Sequence, residues 1–241
     1  MGKLFDDAEG VVLGKYHVER ISYQDTKPFI LDIHYAKRMP SITYAYGLYE
    51  QNHLIGIVCY GSPPSPALCK GIAGEKNKSL VLELNRLVLK DNKKNQASML
   101  IGASFKLLPR PKIIVSYADT EQDHIGVVYQ ATNFIYTGLS DKRKEWRIKN
   151  SNMHSKTVCE TYSLEERKSN KNKFELVDRP RKHRYIYFLG TKTQKKLFNK
   201  ELRYKIKPYP KKKVGIRINQ MEELMLESFL IPNLDYIGKA R

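Results

Sequence analysis

The sequence predicts an α/β fold of α+β type: a central mixed sheet flanked by helices, with a basic insertion between the last two strands. Three observations carry this expectation. Residues 113–138 run as an apolar strand ending in polar groups, an acidic turn, a short amphipathic helix and a new strand. Residues 41–108 are ordered as a hairpin, a nearly continuous apolar strand and a helix. Residues 141–213 hold 24 Lys+Arg against 8 Asp+Glu, a net of +16 out of +18 for the 241-residue chain, so a charged segment interrupts an otherwise nearly neutral body.

Residues 1–27 are polar and weakly patterned, with Val11-Val12-Leu13 their one apolar cluster. Phe29 to Tyr35 precedes a basic turn and the stop Met39-Pro40, which places His34 and Tyr35 near an element end. Ser41 to Tyr60 alternates apolar and small residues around a turn at Glu50-Gln51-Asn52-His53, a hairpin, and Gly61 to Pro66 is a proline-rich loop. Ser79 to Leu89 is a strand with Glu83, Asn85 and Arg86 embedded. Regular alternation puts Glu83 with Asn85 on one face and Leu84 with Arg86 on the other. Buried charges need partners, so Glu83 and Arg86 form either a structural network or part of a polar site. Asn95 is placed to cap a helix from Ala97 to Leu108, which ends at Pro109-Arg110-Pro111.

The strand Ile113-Ile114-Val115 continues into Ser116, Tyr117 and Asp119, and Ile125, Val128, Tyr129 and Thr132 recur at helical spacing beyond it. Asp119 and Tyr129 thereby approach the same strand end, where open α/β sheets bind ligands. Phe134-Ile135-Tyr136 begins the next strand. The insertion spans about 141–184, the strand Tyr185 to Leu189 follows, and Thr191 to Tyr204 reads as a basic helix. We expect one domain over residues 1–213 and a tail over 214–241, with a short helix from Met221 to Leu230.

The three cysteines, Cys59, Cys69 and Cys159, have neither CxxC spacing nor a disulfide framework, which suits a reducing compartment. The N-terminus lacks a signal-peptide core and no run of about 18 apolar residues occurs, so a soluble cytoplasmic protein without membrane contact is expected. Segregated positive charge is the footprint of a phosphate-neutralising surface, and a polyanion is the expected partner. Lys142, Arg143, Lys144, Arg147, Arg181, Lys182 and Arg184 are its candidate contacts, and Trp146 either stacks on a base or anchors the insertion.

The blocks HYAKRMP, YGLYEQNHLIGIVCYG, ELNRLVL, NQAS, VSYAD…HIGVVYQATNFIYTG, HSKT and RKHRYIYFLG, in this order over roughly Gly14 to Pro210, resemble the Mom family of phage DNA-modification proteins, a branch of the GNAT acyltransferase superfamily. The resemblance implies a GNAT-like fold, double-stranded DNA as the partner, and an enzyme that gives the N6 amine of adenine in DNA a carbamoylmethyl (acetamido) group, protecting phage DNA from host restriction. An N-acyltransferase acting on a protein amine or an aminoacyl-tRNA, with the basic segment binding RNA, is the alternative.

Under the family reading Asp119 is a general base or metal ligand, Tyr129 a proton donor or metal ligand, Arg86 a clamp, and Glu83 and Tyr35 further catalytic residues. Convergence of His34, Tyr35, Asp119 and Tyr129 would suit iron, since phenolate and carboxylate are hard donors and imidazole is borderline. GNAT proteins normally wrap the pyrophosphate of acetyl-coenzyme A in a glycine-bearing loop before the central helix. The loop here, Lys93 to Ser98, has no glycine, so weak coenzyme A binding is expected, with contacts at Lys94, Asn95 and Ser98. Plain acetyl transfer does not deliver the amide nitrogen of the product, so another acyl or glycyl donor is the companion expectation.

Overall fold

The computed structural model describes residues 10–151, 153 and 155–211, and the compact unit treated below ends at Tyr209. The expected helix Met221 to Leu230 and the tail from residue 214 lie outside the described residues. The chain runs β1 (Val11–Leu13), β2 (Tyr16–Arg20), α1 (Tyr23–Pro28), β3 (Tyr44–Glu50), β4 (His53–Gly61), α2 (Pro66–Ala73), β5 (Val81–Leu89), α3 (Gln96–Leu107), β6 (Lys112–Asp119), α4 (Val127–Ala131) and β7 (Ile135–Leu139). It continues with β8 (Arg143–Ile148), α5 (Ser155–Thr161), α6 (Leu164–Ser169), β9 (Phe174–Arg179), β10 (Lys182–Leu189) and α7 (Lys192–Glu201). Eight strands form one mixed sheet in the order β1-β2-β3-β4-β5-β6-β10-β7, parallel at β5–β6 and antiparallel elsewhere, while β8 and β9 pair separately. The expected hairpin, strand, helix, strand, helix, strand succession is present.

Two apolar layers hold the sheet. On one face Tyr60, Leu82, Leu84, Ile114 and Tyr185 pack against Leu100, Ile101 and Phe105 of α3 and Tyr129 of α4. On the other, Val81, Ile113, Val115, Ile186 and Phe188 pack against Ile72 of α2 and Phe198 of α7. Burial of each such large side chain is worth about 1.5–3 kcal/mol, so the strand ends between the layers are held without help from their polar residues.

Three segments differ from expectation. The polar N-terminal stretch forms the β1–β2 hairpin and α1, whose cap is reciprocal: Ser22 Oγ accepts from Asp25 N–H and Asp25 accepts from Ser22 N–H. A π-helical turn, Phe29–Ile33, follows α1, and Phe29 and Ile30 bury against Ala45, Ile57, Cys59 and Val88. Beyond the proline-rich loop lies α2, capped by Ser65 with Pro66 at its first turn. Asn95 holds the N-cap position of α3 but makes no side-chain cap bond; it adopts a left-handed conformation at φ 66°.

Gly126, just before α4, has φ +75° and lies so close to Tyr185 that a Cβ would stand 2.5 Å from the ring. Tyr185 fixes this turn by donating to Ile125 O at 2.5 Å and accepting from Gln130 Nε2 at 3.2 Å. Gly126→Ala is therefore expected to cost about 1–3 kcal/mol through both clash and left-handed strain. Urea denaturation monitored by circular dichroism checks this; an unchanged midpoint would show that the turn has room to give.

Candidate active site where β5 and β6 part

The parallel pairing of β5 and β6 runs from Val81 opposite Ile113 to Leu84 opposite Ser116, and stops there. Beyond that point β5 continues on β4 to Leu89 and β6 continues on β10 to Asp119, so the two carboxyl halves separate. Ser116 Oγ donates to Leu84 O at 2.8 Å at the vertex of the opening.

A bulge shapes one wall. Cys59 faces Arg86 and Tyr60 faces Leu84, which leaves Asn85 as an extra residue on β5. Alternation slips by one, and Glu83, opposite Gly61, shares a face with Arg86, opposite Cys59. This corrects the expected grouping of Leu84 with Arg86, which joins Glu83 and Asn85 instead. Asn85 and Arg86 then stitch a loop over the opening: Asn85 Nδ2 donates to Ser41 O at 2.8 Å, and Arg86 Nη2 donates to Arg38 O at 2.6 Å. That loop carries His34 and Tyr35.

The predicted residues Tyr35, Glu83, Arg86, Asp119 and Tyr129, with His34, are brought within electrostatic reach of one another. Asp119, at the end of β6, accepts from Lys182 Nζ at 2.6 Å on Oδ2 and from Glu121 N–H at 3.1 Å on Oδ1, and its charge acts on the Tyr35 hydroxyl. Burial drives Glu83 up to about 7, against the pull of Arg86 and Lys182. Burial, then the charges of Arg86 and His124, holds His34 down to about 4. Burial also pushes Tyr129 up to about 12, against a smaller lowering by Ser116. Tyr35 is raised by burial and by the Asp119 charge, and Arg86 is lowered by burial. Arg86 Nε has no protein partner although it is buried. At neutral pH the opening therefore combines a carboxyl group poised to exchange a proton, two protonated phenols and a neutral imidazole.

The other expected sites divide. Lys94 and Asn95 are exposed at the start of α3, and Ser98 Oγ donates to Asn95 O at 3.0 Å. Asn95 supplies the left-handed turn that a glycine would otherwise provide in that loop. Lys142, Arg143 and Lys144 are exposed on the outer strand pair. Trp146 is partly buried, paired opposite Leu176 with the Arg167 guanidinium 5.7 Å from its ring, an anchoring position. Arg147 bridges Glu145 and Glu121 at 2.8 and 3.1 Å.

Three basic candidates are corrected. Arg184 is only 6% exposed, donates to Thr137 Oγ1 at 3.0 Å and lies 3.4 Å from the Tyr204 ring, so it is a structural residue. Arg181 spends its guanidinium on Ser140 O and Leu139 O. Lys182 belongs to the opening through Asp119. Sequence reasoning also passed over His124, whose ring meets Tyr35 edge-on at 6.3 Å, and Ser116. His124 stands in the H-x-G-x-x-Y block that carried the resemblance, and that spacing was its available signal.

The donors expected for iron do not fit it as arranged. Asp119 is occupied by Lys182 and Glu121, and His34 Nδ1 accepts from Ala36 N–H at 3.0 Å. Among the described residues no three His, Cys, Asp or Glu side chains gather as a metal set. No helix of the described residues is long and apolar enough to cross a membrane.

Comparison with known proteins places a match to the Mom protein family over residues 15–211. The methylcarbamoylase mom of Escherichia phage Mu is 29% identical over 217 residues, covering 84% of this chain and 88% of that protein. Among solved structures, NAA60 of Arabidopsis thaliana in complex with acetyl-CoA has 13% identity, covers 72% of this chain and 98% of its own, and superposes with a TM-score of 0.44. The ribosomal-protein-S5-alanine acetyltransferase of Vibrio fischeri gives 10% identity, 75% and 96% coverage and a TM-score of 0.42. Likenesses this distant carry no weight of their own, and the fold rests on the strand order given above.

The Glu83 environment makes a pH prediction. The unfolded chain releases this proton near 4.5 and the folded chain keeps it until about 7, so the stability it contributes is full below 4.5 and is lost as pH rises through 7. Glu83→Gln stays neutral throughout. The difference in melting temperature, variant minus wild type, is expected to grow in the variant's favour from pH 4.5 to 7.5, and a flat difference would mean that Glu83 ionises normally.

Proposed function

Because the chain belongs to the Mom protein family, we propose that it is a transferase that modifies adenine in DNA, converting the N6 amine to a carbamoylmethylated form. The observation that carries this reading is the gathering of Glu83, Arg86, Asp119, Tyr35 and Tyr129 where β5 and β6 part. The relative from phage Mu is named a methylcarbamoylase, which supports the group transferred. Modified N6 alters the donor that adenine presents in the major groove, the edge that sequence-specific nucleases read, and so protects the DNA from restriction.

The N6 lone pair is delocalised into the ring, so attack requires loss of an N6 proton as the new N–C bond forms. Glu83 is the base best suited to take it, because its proton affinity lies near ambient pH. Asp119, held by Lys182, keeps a fixed negative charge beside the Tyr35 hydroxyl, and Tyr129 returns a proton to the group that leaves the donor. The unpartnered Nε–H of Arg86 is free to bind a carbonyl oxygen and disperse charge that builds on it. A donor bearing phosphates would set them against Lys94, Asn95 and Ser98 at the start of α3. We favour a glycyl ester over plain acetyl-coenzyme A because it brings the second nitrogen. N6 attacks the glycyl carbonyl and the carrier's oxygen leaves with a proton. The glycyl amine then attacks C6 of the ring and the former N6 leaves C6 as the carboxamide nitrogen, an isomerisation that yields the carbamoylmethyl group. Duplex binding falls to Lys142, Arg143 and Lys144, moored beside the opening by the Arg147–Glu121 pair.

Nucleoside mass spectrometry of DNA from cells expressing the chain tests the activity, with the carbamoylmethyl adduct of adenine as the expected mass. Asp119→Asn and Tyr129→Phe are each expected to abolish that product. Tyr129→Phe keeps the ring that packs on Phe134 and Tyr185, so its stability cost stays near that of one hydrogen bond, about 1 kcal/mol. Normal adduct from either variant removes that residue from the chemistry. Replacing Lys142, Arg143 and Lys144 together by Ala is expected to weaken duplex binding and to lower the slope of log affinity against log salt by about 3, one per lost phosphate contact. An unchanged slope in fluorescence anisotropy titrations would move the duplex contact elsewhere.

A further inference from the structure

Around the mouth of the opening a cluster of aromatic rings stands among exposed charged residues, Lys37, Glu121 and Asp123 included. The His34 and Tyr35 rings stack at 4.4 Å and 27°, and His124 meets Tyr35 edge-on at 6.3 Å and 79°. Tyr35 is nevertheless 52% exposed. With His34 covering one face of the ring, the open area lies on the other. The Tyr35 hydroxyl meanwhile lies within reach of the Asp119 charge, which puts the ring beside the opening. His34 Nδ1 accepts from Ala36 N–H, so its remaining proton sits on Nε2, and the imidazole is neutral at physiological pH. Ile33 and Val127 are also exposed large apolar side chains, 46% and 63% accessible, on the segments that carry Tyr35 and Tyr129. A ring exposed in this way fits a flat aromatic occupant.

The neighbouring charge says what the rest of that occupant is. Arg147 on β8 reaches Glu121, two residues beyond Asp119, and Arg143 on the same strand acts on Tyr117 of β6. Exposed cations thus begin beside the mouth and suit a polyanion, whereas the mouth itself suits an aromatic ring. From this geometry we propose that the outer face of Tyr35, backed by His34 and edged by His124, is the platform on which a nucleobase rotated out of its duplex stacks during reaction. The proposal rests on the adenine-modifying reading and adds the residues that hold the target base. An exocyclic amine inside a base pair is out of reach of groups buried between two strands, so the base must leave the stack, and a stacking platform repays part of that cost. Tyr35 thereby joins two tasks: its hydroxyl lies within reach of the Asp119 charge and its ring face seats the base.

The test is the affinity of the full-length protein, by anisotropy at fixed salt, for two duplexes of one sequence: one fully paired, one with its adenines opposite abasic sites, which leaves those bases already unpaired. Wild type is expected to prefer the second by about tenfold or more, the scale of one base stacked on one aromatic ring. Tyr35→Phe keeps the ring and is expected to keep the preference. Tyr35→Leu is expected to lose the preference and to retain affinity for the paired duplex, since the basic strand is untouched. A wild type without preference, or a Leu variant that retains it, overturns the platform. The preference with its loss in Tyr35→Leu, but without any modified adenine in wild-type-expressing cells, would support the platform and count against the adenine-modifying reading alone.

Discussion

One extra residue on β5 sets the geometry on which the rest of the site depends. Without the bulge at Asn85, the pairing of β4 with β5 would keep strict alternation, and Glu83 and Arg86 would project from opposite faces of the sheet. With it, both side chains face the same way, next to the point where β6 leaves β5. The same residue and its neighbour then donate to the carbonyls of Ser41 and Arg38, so the loop with His34 and Tyr35 is held over the gap by backbone acceptors rather than by side-chain charge. Placement of the loop is thereby independent of protonation in the site.

Burial is the common cause of the unusual protonation around that gap. The helices α3 and α4 cover one face of the sheet and α2 and α7 the other, so groups at the vertex lie between two apolar layers with little water to solvate charge. The same desolvation raises Glu83 and Tyr129 and lowers His34, because in each case it favours the neutral form. Asp119 sits at the outer end of β6, where Lys182 from the adjoining β10 stands opposite it in register and provides a countercharge. The two carboxyl groups, with Asp119 four residues beyond the Val115 that pairs with Glu83, are thus set differently by their surroundings, one raised to about 7 by burial and one held beside a cation.

The basic insertion is less uniform than its composition suggests. It contains the strand pair β8–β9 and two short helices, and several of its cations are consumed in building it: Arg147 and Arg179 converge on Glu145, and Arg167 lies over Trp146. Thr120 Oγ1 donates to Arg181 O at 2.6 Å, and Arg147 reaches Glu121, so the insertion is fastened to the turn that follows Asp119. Exposed charge at the start of β8 comprises Lys142, Arg143 and Lys144, and Lys149, Lys168 and Lys171 are exposed farther along the insertion.

The sequence by itself determined the sheet core, the order of its elements and the candidacy of Tyr35, Glu83, Arg86, Asp119 and Tyr129. Apolar runs such as Ile113-Ile114-Val115 leave few alternatives to a buried strand, and polar residues at the ends of such runs have few uses other than a site. It did not reveal α1 and α2, where short helices are marked by a cap at Ser22 or Ser65 more than by periodicity. Tertiary structure alone decided that Glu83 and Arg86 share a face, that Arg184 is walled in by Thr137 and Tyr204, and that Lys182 belongs to Asp119. A bulge depends on which residues of two strands come opposite each other, and the fate of a cation depends on partners 47 and 63 residues away along the chain. Local pattern registers that a charge exists; only the packed sheet determines whether solvent, a carboxylate or an aromatic ring receives it.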